Sequence, residues 1–236
     1  MRQTVIDGFD FAAIPDFREF SRQHLRGVGP LGTLPRDEAP IERLLDAYER
    51  LGGTPLVARL AEGIAACLND PDPAIRWQVL IFFEKNPMAA GGERIVEAAS
   101  GDRSGFRGVP DPRGGDLEWK LLSAVGRRAG GGDVRALALA REEAIHPGQP
   151  TPLIAALTRA DPDWVAAHAE EIARATPSTA AVILNNLQGS RHDVGALGER
   201  LAPVGARDPK FRGFIELFID DPAAKARILR ALPARP

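Results

Sequence analysis

Four times in this chain an aspartate directly precedes a proline at the head of an apolar, helix-forming stretch. The sites are Asp72-Pro-Ala-Ile, Asp161-Pro-Asp-Trp, Asp208-Pro-Lys-Phe and Asp221-Pro-Ala-Ala. An aspartate carboxylate accepts the orphan N–H groups at a helix start, and proline gives up nothing at the first helical position. Each site therefore predicts an N-cap at Asp and a helix beginning at Pro. The stretch 70–87 carries this furthest. Ile75, Val79, Phe82 and Phe83 fall on one helical face, while Trp77, Leu80 and Ile81 make the remainder apolar, so this helix is expected to be buried on several sides. The run 75–83 also suits a buried strand. The cap at one end and the stop at Asn86-Pro87 favour the helix.

The same reading along the chain predicts an extended lead-in over 1–14, then helices over 15–25, 40–51, 54–68, 73–86, 92–100, 116–128, 133–145, 152–160, 162–175, 177–187, 191–201, 209–219 and 222–232. Residues 27–35 read as a turn-rich linker, and 101–115, with five Gly and two Pro, as the longest loop. No alternating segment is long enough for a sheet. The chain reads as all-α and one domain overall, with 1–39 as lead-in and capping helix and 40–236 as the main body.

A repeat underlies the helices. The fragments Leu56-Val-Ala-Arg-Leu-Ala, Asp133-Val-Arg-Ala-Leu-Ala, Trp164-Val-Ala-Ala-His-Ala, Asp193-Val-Gly-Ala-Leu-Gly and Ala224-Lys-Ala-Arg-Ile-Leu align. Val57, Val134, Val165 and Val194 recur within them, the last three at spacings of 31 and 29. A single helix pair cannot bury its apolar stripe, whereas stacked pairs make a continuous core. With Asp72-Pro-Ala-Ile-Arg and Asp133-Val-Arg, residues 40–232 resemble the HEAT-repeat family. The resemblance implies a right-handed α-solenoid of about six antiparallel helix pairs that binds a partner along a concave face. Polar positions expected there include Arg59, Glu62, Arg135, Glu142, Glu171 and Arg174.

Charge and cysteine content narrow the partners. The net charge is −2, with local balances of −4, +3, −4 and +3 over 1–100, 101–141, 142–190 and 191–236. These shallow patches suit a matching protein rather than a polyanion or an anionic membrane. One cysteine, Cys67, excludes an internal disulfide and fits a reducing compartment. The N-terminus lacks a signal-peptide core, and no segment is long enough to span a bilayer. The expected location is the cytoplasm, with the protein monomeric on its own.

Catalytic and cofactor motifs are weak throughout. Gly27-Val-Gly-Pro-Leu-Gly32 matches a dinucleotide fingerprint, but it follows a helix and contains Pro30. His24, His146, His168, His192 and Cys67 show no metal-ligand spacing, so no metal or cofactor is expected. Some HEAT-like proteins are DNA glycosylases that remove alkylated bases, which makes Asp116 with Trp119 and Asp161 with Trp164 worth weighing. N-caps and core tryptophans account for both spacings.

Two features remain as partner-binding candidates. One is the basic group Arg103, Arg107, Arg113, Arg127, Arg128 and Arg135, suited to an acidic partner. The other is Asn185-Asn186, polar residues that are poor helix formers inside a helix, suited to a partner's backbone or to a neighbouring helix end. The reading is a non-catalytic protein-binding chain, with a bacterial immunity protein against a cognate toxin as the specific form. A general scaffold or adaptor and a base-excising glycosylase are the alternatives.

Overall fold

In a computed structural model, the described residues are 5–6, 9–10, 13–26, 55–110, 115–148 and 151–233. The linker 27–35, the fingerprint at Gly27–Gly32, the helix 40–51, the boundary at 39/40 and Arg113 lie outside them. The described part is helical apart from a hairpin of two-residue strands, β1 (Val5–Ile6) and β2 (Phe9–Asp10), within the lead-in read as extended. Two compact units follow along the chain, residues 1–128 and 129–236.

The first unit contains α1 (Phe17–Leu25), α2 (Pro55–Ala65), α3 (Pro73–Lys85) and α4 (Glu93–Ser100), and nearly all of α5 (Leu117–Gly130). Asp72 caps α3 by accepting from Ala74 N, with Pro73 at the helix start. As its composition dictates, α3 is enclosed: Ile75, Trp77, Val79, Leu80, Phe82 and Phe83 are all buried. Val57, Leu60, Ala61 and Ile64 of α2 and the following Leu68 also face inward. Helix α1 packs on α2 and α3. It comes so close to α2 that a Cβ at Gly63 would lie 2.5 Å from the Phe17 carbonyl oxygen.

The second unit contains α6 (Val134–Ala144), α7 (Thr151–Ala160), α8 (Pro162–Ala175), α9 (Thr179–Leu187), α10 (Val194–Gly205), α11 (Phe211–Phe218) and α12 (Pro222–Ala231). Asp133, Asp161, Asp193 and Asp221 cap α6, α8, α10 and α12 through their carboxylates. Helices α7 and α9 pack together, as do α9 and α11, while α8 packs on α10 and α10 on α12. Sequential contacts join α6 to α7, α7 to α8, α8 to α9, α9 to α10 and α11 to α12. Close approach of α10 and α12 rests on glycine: a Cβ on Gly198 would lie 2.3 Å from Ile228 Cγ1.

Three expectations need correction. Val57 and Val165 are buried, but Val194 is half-exposed and Val134 is 76 % exposed. Val134 and Val194 stand directly after their caps, where side chains turn outward, so the aligned valines do not occupy one structural position. Asp208-Pro209 forms a turn rather than a cap. Asp208 accepts from Lys210 N at 2.9 Å, and α11 begins only at Phe211. Trp119, expected in the core, is 54 % exposed.

Candidate functional site

In the first unit, the loop 101–110 folds back onto the start of α5. Asp116 accepts from Glu118 N at 2.7 Å and from Gly108 N at 3.2 Å, and Leu117 N donates to Val109 O at 3.0 Å. These contacts bring two of the six predicted arginines to one carboxylate. Arg107 grips Glu118 with two donors at 3.0 and 3.2 Å, and Arg103 Nη1 reaches the same group at 3.4 Å. Burial opposes ionisation of Glu118, but the two guanidiniums outweigh it and hold the carboxyl below its usual range. Arg103 Nε also donates to the Ala99 carbonyl, so this side chain is a staple between α4 and α5. Arg128 is similarly occupied, donating to the Pro87 carbonyl at 2.6 Å. Arg127 is exposed, as is Arg135 in the second unit. Arg103, Arg107 and Arg128 thus bond within the first unit, while Arg127 and Arg135 remain exposed.

The feature this leaves at the surface is Trp119. On one side in sequence stands Glu118, neutralised by two arginines, and on the other Lys120, whose Nζ lies 2.6 Å from Glu84. The indole is thus presented between two satisfied charge sets. In the sequence Trp119 reads as a core residue because it shares a helix with Leu117, Leu121, Leu122 and Val125, which are buried. At 3.6 residues per turn, position 119 stands about 200° round the helix from Leu117, opposite the stripe of Leu117, Leu121 and Val125.

In the second unit, Asn185 and Asn186 are half-buried and have separate tasks. Asn186 donates to Val182 O at 2.9 Å and accepts from Arg159 Nη1 at 2.7 Å, tying α7 to α9. Asn185 accepts from Gln188 Nε2 at 3.0 Å. The same Gln188 donates to Phe218 O and accepts from Asp220 N, each at 2.7 Å, and so closes the end of α11. Asn185 reaches the end of α11 only through Gln188.

Cross-helix ion pairs run along α8, α10 and α12. Arg191 pairs with Asp163, Arg200 with Glu170 at 3.8 Å, and Arg227 with Asp193 at 3.1 Å and Glu199 at 2.8 Å. The Ala196 N–H and then Arg227 hold Asp193 below the usual carboxylate range. Arg174 pairs with Glu170 at 2.8 Å, while Glu142 and Glu171 are exposed. Arg59 and Glu62 are exposed on α2, where Arg59 lies 4.3 Å over the Phe17 ring.

His168 Nδ1 donates to Trp164 O at 2.8 Å and its ring stacks on that indole at 4.3 Å. His192 Nε2 lies 3.0 Å from Asp163 Oδ1 but off the line of a hydrogen bond. Among the described residues no group of three or more His, Cys, Asp or Glu is placed to hold a metal ion. No helix among them is long and apolar enough to cross a membrane. Two polar clefts open at the surface. One, of about 550 Å³, includes Asn69, Glu93, Arg94, Glu97 and Asp102. The other, of about 360 Å³, includes Gln188, His192, Asp193, Asp220 and Asp221.

This chain matches no protein-family model, no curated protein and no solved structure.

Proposed function

We propose that this chain is a non-catalytic protein-binding α-solenoid of HEAT-like helix pairs, about six in number, acting in the cytoplasm. Packing of helices on next-but-one neighbours in residues 129–236 supports stacked pairs. The observation that carries the binding reading is Trp119. Tryptophan is costly to leave half in water and is enriched where protein surfaces bind most strongly, ringed by contacts of little energetic weight. An indole between the Glu118 and Lys120 charge sets fits that pattern, because the neighbouring charges are already satisfied.

The specific form of the proposal is a bacterial immunity protein that neutralises a cognate toxin. The experiment is calorimetric titration with the product of a toxin gene adjacent to this one, using wild type and Trp119→Ala. Tight binding that weakens at least about tenfold in the variant, with an unchanged melting temperature, supports it. No binding by the wild type rejects the immunity form and leaves the broader scaffold or adaptor reading.

The exposed indole also suits stacking on a nucleobase, which keeps base excision on DNA as a second reading. Against it, both Asp116 and Asp161 are engaged as helix caps. Asp161 is further paired with Arg141. Salt-dependent binding to duplex DNA would favour excision, and absence of duplex binding at low salt would sink it.

A further inference from the structure

We draw no further inference here: the strongest candidate, the surface cleft of about 550 Å³ that Glu93, Glu97 and Asp102 line between the end of α2 and α4, is an acidic cluster, and among the described residues no buried, unpartnered polar side chain lines it to show what would fill it.

Discussion

Arg22 Nε donates to Asp70 Oδ2 at 2.6 Å, joining helix α1 to the turn between α2 and α3. The Asp70 side chain is 5 % exposed and also accepts from Asp72 N at 3.0 Å. Burial raises its pKa, but the Asp72 N–H and Arg22 outweigh burial and leave the carboxyl below its ordinary range. Stability from a depressed carboxyl is present above its unfolded-state pKa of about 4 and is lost as pH falls through the folded value. Asp70→Asn is therefore expected to cost about 2–3 kcal/mol near neutral pH. The gap from wild type should narrow below about pH 4. Urea denaturation between pH 7 and pH 2.5 checks both; a gap constant with pH would rule out this ion pair as its source.

Gly198 and Gly213 predict opposite outcomes for one substitution. A Cβ at Gly198 would press on Ile228 at 2.3 Å, whereas a Cβ at Gly213 meets nothing within 4 Å. Gly198→Ala is expected to destabilise by about 1–3 kcal/mol through overpacking. Gly213→Ala should stabilise by up to about 1 kcal/mol through helix propensity. Thermal melts at low protein concentration separate the two, and equal effects would refute the close α10–α12 crossing.

Cys67 is buried, and its thiol lies 3.4 Å from the Gly63 carbonyl. Burial pushes its pKa up to about 11. Only the thiolate reacts readily, so alkylation at pH 8 should be on the order of a hundredfold slower in the native protein than in urea. Mass spectrometry of iodoacetamide-treated protein reads the rate directly. Prompt native labelling would show that the site opens.

Phe82 is fully buried and meets Phe83 edge to face at 5.1 Å. Phe82→Asp places an unpaired charge there and should cost about 3 kcal/mol or more. An unchanged urea midpoint would contradict the enclosed position of α3.

Local chemistry made the helices readable, and long-range geometry hid the surface. Asp72-Pro73, Asp161-Pro162 and Asp221-Pro222 mark helix starts because cap and helix lie within a few residues of each other. Asp208-Pro209 carries the same letters yet makes a turn, since the following Lys210 and Phe211 take the cap and start positions instead. The valine alignment failed for a related reason: Val134 follows its cap directly, whereas Val165 lies a turn inside its helix. The pairing of Arg103 and Arg107 with Glu118 depends on how a glycine-rich loop folds back, which no periodicity reports. Gly195 and Gly198, three apart on α10, did hold a usable signal. Two glycines on one helical face, set against Ala224 and Ile228, mark where another helix comes close.

The packing in residues 129–236 also bears on how quickly that part of the chain can form. Its side-chain cross-links between helices are short in sequence, from the 9 residues between Glu216 and Lys225 to the 34 between Asp193 and Arg227. Low contact order lets each helix dock on material made shortly before it, so little loop-closure entropy is lost before contacts compensate. Order can then spread from one helix to its neighbours in either direction. By the same locality α9, packed on four others, is expected to be the last helix of this part to exchange its amide protons.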